Sequence, residues 1–519
     1  MSKFAEWVQR FCLRAIGAIG AIISLFLTYY SWKYTVRLYG NVFIDNKNNI
    51  LVTVIIFLAV CIGIKLLGRL VESRRKEFML VTAILVSIVI ALTAWIFIDA
   101  QNPYTVADQA NILWGSTVLA EGQIDAIRES AYFIVYSFQL YLADLYALLF
   151  RLFGTTDAFL IFHIHAIITG FSTFAIFGIT RELFQSRKAE MISLFCTLIF
   201  FPLRLFAAFF YGETLGVCAS LYAVWFFLKM NRMETQKRYR VIAYGVLTGL
   251  FLLLASLVKG DMLIVGIAMC IVQILQVMKD KRWKLLVMFG VSLLICLGGK
   301  ALHGEILERR IGISQAEGEP LILVVVMGFQ DPTKEDMAVG TYNSYNINTF
   351  TECGYDVEAA SRRAKQDLQD IFREWMQNPG DMVSFMKTKA LIQWNEPTYG
   401  SISSTSYYSS SEEWIYKIYE NGGANWLINC LKQYQAIVYL FLFGGFVVLT
   451  KETQDARRYL VGLIVIGGFF FSMIWEAVTR HIYPYAVIAI PFVAGSAADG
   501  VERLEIRLRA FIKKLKGTN

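Results

Sequence analysis

A-Y-F-I-V-Y-S-F-Q-L-Y-L-A-D-L-Y-A-L-L-F-R-L-F-G, residues 131–154, is long and apolar enough to be taken for a membrane span, and the topology turns on whether it is one. A helix needs about 20 predominantly apolar residues to cross the hydrocarbon. This segment carries Gln139 and Asp144 among Tyr132, Tyr136, Tyr141 and Tyr146, a mixture suited to a helix lying in the interface. Charge parity agrees. Basic clusters recur at 69–76, 181–188, 229–240, 279–284 and 451–458, and in the tail 503–516. If all face the cytoplasm, as Lys/Arg-rich connections do, an even number of spans must separate each pair. That holds throughout only if 131–154 does not cross. Twelve spans result, beginning near Leu13, Ile50, Met79, Ala158, Met191, Tyr211, Val241, Met262, Trp283, Gln435, Tyr459 and Ile482. Both termini then lie inside.

Composition fits a membrane chain. Of 519 residues, 56% are hydrophobic and 17% charged, against roughly 45–50% and 25% in soluble domains. The net charge of +8 comes from 49 Lys and Arg against 41 Asp and Glu; in such a chain the excess belongs to topology rather than to nucleic-acid binding. The first apolar run has no small-residue cleavage site and reads as an anchor, not a signal peptide. Six of the 8 cysteines lie in or beside apolar runs, which leaves Cys353 and Cys430 as the only pair in a polar setting.

The chain therefore reads as an all-α polytopic membrane protein. Residues 1–98 hold three spans, 99–157 an outer loop with interfacial helices, 158–300 six spans, 301–433 an outer region, 434–500 three spans, and 501–519 a basic cytoplasmic tail. Within 301–433, Leu321–Met327 is too short to span and reads as a buried strand. Residues 357–376 read as a helix stopped by Asn378-Pro379-Gly380, so this region is expected to be a small mixed α/β domain. The Ser/Tyr-rich run 401–411 reads as a mobile loop.

Carboxylates beside a membrane are expensive unless they face water or a partner, and the first outer loop begins with several. Asp108 reads either as a general base taking a proton from an attacking hydroxyl or as the cap of the helix that A-N-I-L-W begins. Asp99, nine residues earlier, and Glu213 in F-F-Y-G-E-T-L-G are candidates for a second carboxylate or an acceptor contact. Glu213 also reads as a solvated residue favoured by a helix N-terminus. Asp108 and Glu213 together are candidate ligands for Mg²⁺ or Mn²⁺, which take oxygen donors. Lys259, Arg480 and His481 are cationic or polar groups at the same face. They read as a phosphate site or, singly, as headgroup anchors. His163 and His165 point to different faces of one span and read as helix–helix hydrogen bonding. No GxSxG, Walker or HExxH motif occurs.

The stretches P-Y-T-V-A-D-Q-A-N-I-L-W, A-E-G-Q, L-L-F-R-L-F-G, F-F-Y-G-E-T-L-G, S-L-V-K-G-D-M-L-I and E-A-V-T-R-H-I-Y-P-Y follow one another in the order expected of one family. In them the chain resembles the GT-C superfamily of membrane glycosyltransferases, specifically bacterial relatives of the polyprenyl-phosphate-mannose protein mannosyltransferases. V-M-G-F-Q-D-P, G-T-Y-N-S-Y-N and K-A-L-I-Q-W-N-E-P-T-Y are similar to the external part of Gram-positive surface-polymer members. The resemblance implies a GT-C-like fold in the plasma membrane and an active site facing outside. It also implies inverting transfer of a monosaccharide from a polyprenyl (undecaprenyl) phosphate to a cell-surface glycopolymer, polysaccharide or teichoic acid, or to a glycolipid acceptor. It maps the family's outer-loop acid onto Asp108; where the family often has two adjacent acids, this chain has Asp108-Gln109. The two spans before Met79 are an addition to the family plan. A lipid-linked saccharide flippase, or a polymerase or ligase using a lipid diphosphate, are the alternative activities. Apart from a divalent ion, no cofactor is expected, and the partners are membrane lipids, donor and acceptor.

Overall fold

The computed structural model describes residues 2–39, 41–45, 49–232, 238–314, 316–331, 338–419, 423–452 and 455–515. Among them, eleven helices are long and apolar enough to cross a membrane: Ser2–Lys33, Ile50–Val71, Lys76–Gln101, Ala158–Phe184, Glu213–Arg232, Arg238–Val258, Leu263–Asp280 with its leading 3₁₀ turn, Trp283–Ile311, Gly423–Glu452, Leu460–Ile474 with its leading turn, and Tyr483–Leu515. The span expected near Met191 is broken instead. Arg187–Ile199 and the segment from Pro202 to Ala208 meet at 59°. Pro202 has no N–H to continue the helical ladder, and the backbone leaves helical geometry at Phe200, where ψ is 80°. The count is thus eleven, or twelve with the broken span.

The helices approach closely where small residues permit it, as expected when apolar surface alone does not drive association. A Cβ on Gly170 would lie 2.7 Å from the Ser87 carbonyl, and one on Gly249 2.7 Å from that of Ser292. These two glycines set the Ala158–Phe184 helix against Lys76–Gln101, and Arg238–Val258 against Trp283–Ile311.

Residues 131–154 form three short pieces: Ala131–Val135, the turn Ser137–Gln139 and Leu140–Phe153. The longest, at 14 residues, is about 21 Å long, well short of the ~30 Å hydrocarbon. Leu148, Leu152 and Phe153 are exposed while Tyr141, Tyr146 and Phe150 are buried. Asp144, on the inner side, pairs with His303 at 3.0 Å and with Arg310. This is an amphipathic helix bolted to the end of the Trp283–Ile311 span.

The region 301–433 departs from expectation. Among its described residues there is no strand, so the expected mixed α/β character is corrected to helical. Leu321–Met327 lies in a helix, Leu321–Phe329, not a strand. A short apolar run fits either state, and a buried strand needs a neighbouring strand to satisfy its backbone. The helix satisfies itself and sets Leu323 and Val326, three apart, against Ala360 and Ala364 of the helix Val357–Gln377. Pro379 begins the next helix, Pro379–Trp394, at once. The run 401–411 is strapped down, not free: Ser401–Ser404 is helical, Ser401 and Thr405 are buried, Gln101 Nε2 donates to the Thr405 carbonyl at 2.5 Å, and Ser410 Oγ to that of Ala100 at 2.5 Å. The only sheet among the described residues is an antiparallel hairpin, Thr35–Tyr39 with Asn41–Asp45, which the sequence did not announce. All cysteines, Cys353 and Cys430 included, are free.

Candidate functional site

Asp108 stands in the first turn of the helix Ala107–Glu121. The preceding residue takes a left-handed φ of 47°, so the chain turns sharply into the helix. Val106 is the N-cap and no side chain caps the helix, so Asp108 is not engaged as a cap. Its side chain is 44% exposed and borders a cleft of about 250 Å³ together with Phe209, Ser404, Tyr407 and Arg480. The neighbour Gln109 points inward, and its Oε1 accepts the Phe210 N–H at 2.8 Å. The dipeptide thus divides its work: Gln109 fixes the F-F-Y-G-E-T segment, and Asp108 stays available.

That segment is held from several sides. Tyr146 donates to the Tyr211 carbonyl at 2.9 Å and contacts His165 Nε2 at 2.9 Å, while Gln139 bonds the Tyr211 hydroxyl. Gly212 lets the chain pass the end of the Arg238–Val258 helix, where a Cβ would meet the Val258 carbonyl at 2.5 Å. Glu213 therefore begins its helix inside the protein, at 1% side-chain exposure, contrary to the solvated position the sequence suggests. Its Oε1 lies 3.3 Å from Lys259 Nζ and 3.8 Å from Arg480 Nε. Lys259 Nζ also approaches His481 Nδ1 at 3.3 Å; that nitrogen accepts, which makes His481 neutral with its other nitrogen protonated.

Arg480 is the hinge of the cluster. Its Nη2 is 3.9 Å from Asp108 Oδ2, and its guanidinium lies over the rings of Phe209 and Tyr211 at 5.8 and 5.5 Å. Such stacking preserves the planar fork that suits an oxyanion. Nε is buried without a hydrogen-bond acceptor, as is Glu213 Oε2 without a donor. Behind Arg480 stands the turn N-E-P-T-Y-G, residues 395–400. Glu396 closes it by accepting from Thr398 N at 3.1 Å, Thr398 Oγ1 at 2.7 Å and Gly400 N at 2.6 Å. Gly400, at φ 74°, backs onto Arg480 so closely that a Cβ would sit 3.2 Å from its N. Burial pushes the Glu396 carboxyl up to about 7.

Five sequence candidates thus meet: Asp108, Glu213, Lys259, Arg480 and His481. Their roles differ from expectation. Lys259 is buried between Glu213 and His481, so it braces the cluster and does not face the cleft. Asp99 is not part of it; it bonds His163 Nε2 at 2.7 Å, and that ring stacks on Trp95 at 4.0 Å. The expected use of Asp108 and Glu213 as a Mg²⁺ or Mn²⁺ pair does not fit either. The guanidinium of Arg480 lies between them, Lys259 covers one Glu213 oxygen, and among the described residues no group of three or more His, Cys, Asp or Glu side chains could hold a metal. A cation is already supplied by the chain.

Further groups were not singled out in the sequence. Tyr132, from the aromatic run, is buried, which raises its hydroxyl, and a hydrogen bond to Asp108 adds to this. Burial lifts Glu319 to about 7, opposed by the bond from Asn346 at 2.8 Å and aided by the negative charges of Glu476 and Asp108. Burial lowers Lys389 to about 7, opposed by Glu476, and its Nζ donates to the Gly328 carbonyl. Glu476 itself is raised by burial while Arg480 draws it down. The field of the site therefore reaches from the cleft into region 301–433. The signal for these residues was slight: single charges at the edges of apolar runs, in G-E-P and W-E-A-V-T. No protein-family model matches the chain, and comparison with curated proteins finds no match.

Proposed function

We propose that this chain is an inverting glycosyltransferase of the GT-C type, moving a monosaccharide from polyprenyl phosphate to a surface glycopolymer at the outer face of the plasma membrane. One observation carries the reading: a half-exposed carboxylate, Asp108, stands 3.9 Å from the partly buried guanidinium of Arg480, in one cleft at the ends of membrane helices. Single displacement needs little more. The acceptor oxygen attacks the anomeric carbon while Asp108 takes its proton. The carbon–oxygen bond to phosphate breaks, and polyprenyl phosphate departs with the electron pair. Arg480, whose Nη2 is turned toward Asp108 in the cleft, faces the charge that grows on the departing oxygen. Glu213, Lys259 and His481 position Arg480, and Tyr132 positions Asp108. A flippase would be expected to string ionisable groups along a mid-membrane path; here they gather at helix ends, which favours chemistry over passage.

The test is transfer from a polyprenyl-phospho-sugar by the purified protein in vesicles, at saturating donor. Asp108→Asn keeps shape and hydrogen bonding but cannot take a proton, so the rate should fall roughly 10²–10⁴-fold with donor binding unchanged. Asp99→Asn, which breaks only the contact to His163, should be milder. Full activity in Asp108→Asn would remove Asp108 from the mechanism.

A further inference from the structure

A second cavity lies far from Asp108. It measures about 640 Å³ and is bounded by the ends of Ile50–Val71, Ala158–Phe184 and Glu213–Arg232, the starts of Lys76–Gln101 and Arg187–Ile199, and the last turns of Tyr483–Leu515. Lys76 and Gln101 end one helix of 26 residues, so about 38 Å separate this cleft from the first site.

Its walls carry eight cationic side chains against four carboxylates; Glu182, just outside the lining, neutralises Arg232 at 2.9 Å, and an excess of cations remains. Glu190 takes both contacts of Arg181, at 3.0 and 3.2 Å, and Glu505 is shared by Lys65 at 2.8 Å and Arg509 at 2.5 Å. Other cations are fixed by backbone oxygens, which orient them without cancelling their charge. Arg187 donates to the Glu72 carbonyl at 2.5 Å and Lys188 to that of Ala498 at 3.0 Å. Lys188 reaches it by crossing Gly68, where a Cβ would be 3.1 Å from its Cδ. Among the described residues no carboxylate lies within ion-pair distance of Arg69 or Lys76. Charges that served only to orient the chain in the membrane would need no concave, braced arrangement.

Exposed apolar side chains neighbour the lining residues along the same helices. Ile50–Val71 is the least buried of the spans, and its Leu66 and Leu70, with Phe78, Leu504 and Ile506 on the neighbouring helices, are exposed. A basic hollow whose lining residues alternate along their helices with exposed apolar side chains matches an amphiphile rather than a free ion. We propose that this cleft binds the phosphodiester headgroup of an anionic phospholipid, with Arg69 and Lys76 as its principal charge contacts and the acyl chains against Leu66, Leu70 and Phe78.

The full-length protein in detergent is titrated with phosphatidylglycerol, with phosphatidylcholine, and with inorganic phosphate alone, reading lipid adducts by native mass spectrometry and melting temperature in parallel. Wild type should retain phosphatidylglycerol in preference to phosphatidylcholine. Arg69→Gln with Lys76→Gln, both exposed positions, should weaken it by about fivefold per charge removed, hence roughly 25-fold. Arg282→Gln with Lys284→Gln, cations at the same end but outside the cleft, should leave it unchanged. Equal loss in the two double variants, or none in the first, overturns the site. Stabilisation by inorganic phosphate alone, without phosphatidylglycerol selectivity, overturns the lipid assignment in favour of a soluble anion.

Discussion

Replacing Glu213 by Gln tests whether the buried charges hold Arg480 in place. Glu213 is 1% exposed and sits 3.3 Å from Lys259 Nζ and 3.8 Å from Arg480 Nε. At an effective dielectric constant of about 20, these contacts correspond to roughly 5 and 4 kcal/mol of attraction. Most of that offsets the cost of taking the charges out of water. The glutamine would keep the volume and leave two cations facing each other with no anion between them. The expected loss of stability is about 3–5 kcal/mol, the range for orphaning a buried partner. A second change, Lys259→Met in the Glu213→Gln background, removes one of the stranded charges and should recover a large part of the loss. Denaturant unfolding of wild type, the two single variants and the double variant in one detergent yields the coupling energy directly. Transfer assays on the same samples should show Glu213→Gln impaired even below its unfolding midpoint, because Arg480 loses its anchor. The reasoning fails if Glu213→Gln is as stable as wild type, or if the double variant is no better than Glu213→Gln alone.

Arg480→Ala should weaken use of the lipid-phosphate donor, and Arg480→Lys should also be impaired, because an ammonium cannot reproduce the stacked planar fork; a titration of initial rate against donor distinguishes both from wild type. Stability should pass through a minimum near neutral pH. Glu319 and Glu396, raised from 4.5 to about 7, keep a proton in the fold that the unfolded chain releases, so stability falls between those values by about 3 kcal/mol per group. Lys389, lowered from 10.5 to about 7, is neutral in the fold while the unfolded chain is protonated, so stability recovers as pH rises above 7. Unfolding profiles of Glu319→Gln, which should lose about half of the acid limb, and of Lys389→Met, which should lose the alkaline limb, check the assignment; a profile unchanged by either would refute it.

The membrane class of this chain and nearly all of its span positions were legible in the residues alone. Hydrophobic length is a local property: a run near 20 apolar residues announces itself without knowledge of its neighbours. The same held for 131–154, whose Asp144 and tyrosines argue against a span, and which the structure divides into three short pieces. Where local signals were ambiguous the fold decided. Leu321–Met327 became a helix because no strand among the described residues lies beside it, and the run at Met191 broke at Phe200 and Pro202 although its composition was that of a span. The site shows the same division more sharply. Asp108, Glu213, Lys259, Arg480 and His481 could be picked out as charges or polar groups at one end of the spans. Their order could not, because the roles depend on burial and on partners hundreds of residues apart. Lys259 looked like an exposed cation and is a buried brace; Asp99 looked like a second carboxylate for the site and is tied to His163. Glu319, Lys389 and Glu476 gave only a slight signal in sequence, since a titratable residue becomes part of a site only when folding strips its water and sets other charges beside it.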